Sequence, residues 1–104
     1  MALMKMPCAV GTGGATVYND TLTASGSTLT IPIGFVPDVI VISETESQWM
    51  YLYTTNAAMD KSVNRTFALN ASNVVENVFS FSGTEATITN TSSGRHYDIL
   101  AWKQ

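Results

Sequence analysis

The chain of 104 residues is poor in cysteine, in histidine and above all in charge. Its one cysteine, Cys8, excludes an internal disulfide, so an apolar core must hold the fold. Cys8 itself lacks the cationic or histidine neighbour that makes a thiol reactive, and it reads as a small buried hydrophobe. One cysteine and one histidine, His96, cannot supply the roughly four ligands of a structural zinc site. The acidic residues are dispersed and form no Asp-rich calcium loop. The expectation is a protein with no metal and no cofactor. Charged residues make up 12% of the chain, about half the usual share. The five basic ones, Lys5, Lys61, Arg65, Arg95 and Lys103, are scattered, and the net charge is −3. Nucleic-acid binding needs clustered Lys and Arg, so no nucleic-acid partner is expected. No apolar run reaches the ~18–20 residues of a membrane span. Met1 to Val10 is apolar but short and broken by Pro7, without the charged leader and long apolar run of a signal peptide. We expect a protein that is made in a cytoplasm and stays soluble.

Thr, Ser and Asn stand where charge is missing. These residues coat strands more readily than helices, and the chain punctuates itself accordingly. Val39-Ile40-Val41-Ile42 is a run of β-branched residues after Pro37-Asp38, which predicts a strand buried on both faces. Gln48 to Thr54 alternates Trp49, Tyr51 and Tyr53 against Met50 and Leu52. Ser62 to Leu69, Val74 to Phe81, Glu85 to Asn90 and Arg95 to Lys103 alternate in the same way. Thr16 to Tyr18 and Ser27 to Ile31 are shorter strands. Asn56 to Lys61 reads as a loop or one helical turn, Asn70 to Asn73 as a turn, and Thr91-Ser92-Ser93-Gly94 as a hairpin turn. Gly11-Thr12-Gly13-Gly14 is a flexible joint. It lacks the Lys-Ser/Thr and the following helix of a phosphate loop. The reading is one all-β domain: an antiparallel β-sandwich, jelly-roll-like, of about seven to nine short strands over 15–104, preceded by an N-terminal arm or edge strand with its hinge over 1–14.

Few side chains offer chemistry. His96 lies two residues before Asp98, on one strand face, but no nucleophile elbow accompanies the pair. It reads as a rim histidine beside an acid. Glu44 and Glu46 read as a solvated turn. No catalytic residue is assigned. Trp49, Tyr51 and Tyr53 form an aromatic stripe, which is either half of the core or a platform for stacking sugars. Trp102 is expected in the core.

Two segments resemble a known group. Gly34-Phe35-Val36-Pro37-Asp38-Val39-Ile40-Val41 follows a G-F-x-P-D-V-x-V pattern. Ser93-Gly94-Arg95-His96-Tyr97-Asp98-Ile99-Leu100-Ala101-Trp102 follows an S-G-x-x-Y-x-x-x-A-W pattern. Together, over roughly residues 28–104, they resemble small β-domains of tailed-bacteriophage virion proteins, including head decoration (cement) proteins and tail-fibre domains. The motifs specify a scaffold: Gly34 permits a tight turn, Pro37 fixes entry to a buried strand, and Gly94 brings Tyr97, Ala101 and Trp102 beside that strand. The resemblance implies a non-enzymatic virion protein made in a bacterial cytoplasm. Its expected partner is the major capsid protein, and its expected state is a homo-oligomer, dimer or trimer. Met1, Leu3, Met4 and Met6 of the arm are the candidate partner contacts. The alternative is a tail-fibre or baseplate component that recognises a host glycan through Trp49, Tyr51 and Tyr53, with Arg65 or Arg95 adding polar contacts.

Overall fold

A computed structural model describes residues 16–55, 59–65 and 71–103; for 59–65 and 71–73 the description is of the backbone. The expected arm, with Met1, Leu3, Met4, Met6 and the Gly11–Gly14 joint, lies outside the described residues. The protein is all-β. Nine strands follow in order among the described residues: β1 (Thr16–Thr23), β2 (Thr28–Ile31), β3 (Val39–Glu44), β4 (Trp49–Thr54), β5 (Met59–Arg65), β6 (Ala71–Glu76), β7 (Phe79–Ser82), β8 (Glu85–Thr89) and β9 (His96–Lys103). They form two antiparallel sheets, a large one in the order β1-β9-β3-β4-β5-β6 and a small one in the order β2-β8-β7. This six-plus-three sandwich, with β3 to β6 as a meander, differs from the two Greek keys of a jelly roll.

Alternation explains the packing. In β9, Tyr97, Ile99 and Ala101 are buried while His96 and Asp98 face water. In β3, Ile40 and Ile42 are buried. The register sets Ile40 opposite Ala101 and Ile42 opposite Ile99, so the two resembling motifs meet as neighbouring strands. From the small sheet, Leu29, Ile31, Ala86, Ile88 and Phe79 close onto this floor. The Asp38 N–H donates to the Trp102 carbonyl (2.8 Å) and the Asp38 carbonyl accepts from the Thr55 N–H (3.0 Å), which aligns the entry to β3 with both neighbours.

Several boundaries depart from expectation. β1 runs through Thr23, because all eight of its residues pair with β9. β5 already begins at Met59 and β6 at Ala71, inside segments expected as a loop and a turn. The single strand expected over Val74 to Phe81 is two strands in different sheets. Asn77 adopts φ 60° between them, a left-handed conformation that Asn tolerates better than most residues, and the chain crosses the sandwich there. Thr91 to Gly94 is likewise a crossover between sheets and not a hairpin, since β8 and β9 do not pair. Gly94 has φ 84°, as the turn requires.

Truncating the floor should be costly. Ile40→Ala is expected to lower unfolding free energy by about 2–5 kcal/mol in a urea titration. Val36→Ala, at a side chain 59% exposed, should change it by no more than about 0.5 kcal/mol.

Candidate interaction surface

The aromatic stripe on β4 is divided by depth. Tyr51 is completely buried. Its ring meets Phe79 and Tyr97 edge-on, and its hydroxyl is directed at the carbonyls of Thr89 (3.0 Å) and Asn90 (2.8 Å). Tyr51 is therefore a core residue, out of reach of a glycan, and the expected contact set must lose it. Burial pushes its hydroxyl pKa well above the usual tyrosine value, so it stays protonated and donating. Trp49 and Tyr53 are half-buried. The Tyr53 ring packs on Phe79 and on Phe81, whose side of the sandwich is open: Phe81 is 42% exposed.

The acids near β3 are also divided. Glu44, expected in a solvated turn, is buried at the end of β3 because its parity is that of Ile40 and Ile42. The Arg95 guanidinium reaches in to bond its carboxylate at 2.9 Å, so Arg95 is engaged within the fold. The Tyr97 hydroxyl accepts from the Ser92 N–H (2.9 Å). Burial, more than Glu44, raises the Tyr97 pKa. Glu46 lies outside. It accepts from the His96 backbone N–H (2.9 Å), and its second oxygen meets Nδ1 of the His96 ring. Asp98 accepts from the Thr21 hydroxyl (2.6 Å) instead of pairing with His96. The histidine's acidic partner thus comes from the β3–β4 turn, which spacing along the chain does not reveal.

No cavity opens among the described residues, and no group of three or more potential ligands for a metal gathers there. What the described residues do present is a sheet face. On the side of the large sheet away from the core, register places Val17, Trp102 and Val39 in one row. Leu100, Val41 and Leu52 form the next row, and Met50 lies in a third opposite Ser43. Val17 is 41% exposed and the other six apolar residues are half-buried. Val74 on β6, 53% exposed, extends the third row. Val39 and Val41 correct the reading of β3 as buried on both faces: one face is core, and no described residue stacks a layer on the other. Trp102, expected in the core, belongs to this outer face.

No protein-family model, no curated protein and no solved structure matches the chain.

Two outcomes are expected. Tyr51→Phe should cost about 1–2 kcal/mol in chemical denaturation, because the Thr89 and Asn90 carbonyls lose their buried donor. The Glu46 carboxyl, held at about 2 against an ordinary 4.5 chiefly by the His96 backbone N–H and then by the His96 side chain, favours the folded state when ionised. Its contribution is complete above about pH 4.5 and disappears as pH falls toward 2. Glu46→Gln should flatten the stability profile in that window, measured by thermal melts at stepped pH.

Proposed function

We propose that the chain is a non-catalytic virion structural protein of a tailed bacteriophage that decorates the head by seating the outer face of its large sheet on the major capsid protein. The observation that carries this reading is the apolar outer face itself, on a chain with little charge to keep it apart from partners. The two motifs that resemble virion β-domains supply the class of assembly. Both feed this face: Val39 and Val41 come from the first, Leu100 and Trp102 from the second. The mechanism is differential affinity. A protein that binds only the assembled, expanded shell stabilises that state over its precursor. Copies gather around local symmetry axes as dimers or trimers.

Mixing the purified protein with undecorated heads should give saturable, stoichiometric binding by co-sedimentation. Val17→Glu, at an exposed position on an edge strand, should weaken it at least tenfold with a melting temperature within a few degrees of the parent. Failure to bind any capsid form removes the reading.

A second reading, glycan recognition as part of a tail fibre or baseplate, is favoured by the open Tyr53–Phe81 corner, where the rings lie 4.8 Å apart. Aromatic faces of this kind stack against sugar C–H groups. On a glycan array this reading requires a signal that Trp49→Ala or Phe81→Ala reduces.

A further inference from the structure

An apolar band crosses the outer face of the large sheet on a diagonal. It starts at Val17 and Trp102 on β1 and β9, passes Val41 and Leu52 on β3 and β4, and ends at Met50 and Val74 on β4 and β6. Polar groups on one flank of the band already have partners. The Thr21 hydroxyl donates to Asp98 (2.6 Å), and the His96 backbone N–H donates to Glu46 (2.9 Å). These groups keep a hydrogen bond when the flank is covered.

Size decides what kind of contact suits the face. Six strands about 4.8 Å apart and three rows about 7 Å apart span roughly 600 Å² in projection. Two such faces laid together remove about 1,200 Å² from water, the lower end of the range for specific interfaces. An association of that size forms and dissociates readily. The apolar band fills about half of the face, near the apolar share of ordinary protein–protein contacts, and Trp102 is the type of residue that anchors them.

Shape and charge point to a second copy of this chain. A diagonal band is its own complement, because a two-fold axis along the band, in the plane between two molecules, sets band on band. Sheets stacked face to face in this way are the geometry of a sandwich. With 12% charged residues and a net charge of −3, two copies approach with little repulsion. The face is favoured over the edge of the sheet. Asp20 stands near the middle of β1, and its carboxylate takes the Thr21 N–H at 2.8 Å. A charge so placed guards an edge strand against pairing with another.

We infer that the free protein is a reversible dimer of two copies packed through the outer faces of their large sheets, with Trp102 of each copy in the contact. Where that face also attaches to a shell, which rests on the reading above, the dimer is the store from which decorating monomers are drawn, and the shell competes with the second copy.

Sedimentation velocity of the full-length protein tests this across the micromolar range. A monomer–dimer exchange is expected. Val17→Glu places a carboxylate in the contact and should weaken the dimer about tenfold or more, whereas Val36→Glu, on the loop before β3, should leave it unchanged. Isotope-filtered NMR of mixed labelled and unlabelled parent chains makes the test independent of how a variant folds. It should show contacts between chains from the Trp102 indole to methyl groups of the band. A monomer at every concentration overturns the inference, and so does a dimer whose contacts between chains lie away from the band. A face-to-face dimer that binds no heads keeps the inference and removes the decoration reading; head binding by a strictly monomeric protein does the reverse.

Discussion

The fold depends on the pairing of β3 with β9. β9 lies between β1 and β3, so without it the large sheet separates into a lone strand and the β3–β6 meander. The two partners are some sixty residues apart along the chain, and closing that distance costs conformational entropy before any contact forms. What returns the cost is burial on the shared inner face. Ile40 and Ile42 from one strand and Tyr97, Ile99 and Ala101 from the other make a continuous floor, and the small sheet is seated on it. The same register sets Val39 beside Trp102 and Val41 beside Leu100 on the reverse side. One pairing therefore creates both the core and the surface proposed for attachment.

Polar groups are placed to protect that pairing at its vulnerable end, where the chain leaves the small sheet and enters β9. The crossover at Asn90 to Arg95 has backbone groups that no strand satisfies. Tyr51 donates to its carbonyls from below, and the Tyr97 oxygen receives the Ser92 N–H. Thr91, buried, donates its hydroxyl to the Gly26 carbonyl at 2.7 Å. The Gly94 N–H donates to the Ala24 carbonyl, and the Arg95 carbonyl accepts from the Ala24 N–H. Glu44 then draws Arg95 inward over the same region. A buried carboxylate is expensive unless paired, so this contact ties the Arg95 rotamer to the end of β3.

Much of the architecture was legible in residue order. β3, β4, β8 and β9 announce themselves through β-branched and aromatic alternation, and the Val39 and Trp102 segments do meet, although through a crossover at Gly94 and not the expected hairpin. What alternation could not show was which sheet a strand joins. Val75 and Phe79 share a parity in the sequence, but the left-handed turn at Asn77 sends them to opposite layers. Nor could it separate core from platform within Trp49, Tyr51 and Tyr53, which share a face and differ in depth. Their fates depend on how far the narrower sheet extends over the wider one. The partnership of His96 with Glu46 was hidden for a similar reason, since fifty residues separate them and only the β3–β9 register brings them together.

The position of β9 carries a consequence for synthesis. A ribosome delivers β1 to β8 before it delivers His96 to Lys103, yet the gap between β1 and β3 in the large sheet is waiting for that strand. Until then the meander offers β3 as an unpaired edge rich in valine and isoleucine, the kind of edge that recruits other chains. Cooperative folding is thus deferred until residue 103 has emerged. In a cell making many copies at once, the interval before that release is when a chaperone would matter most.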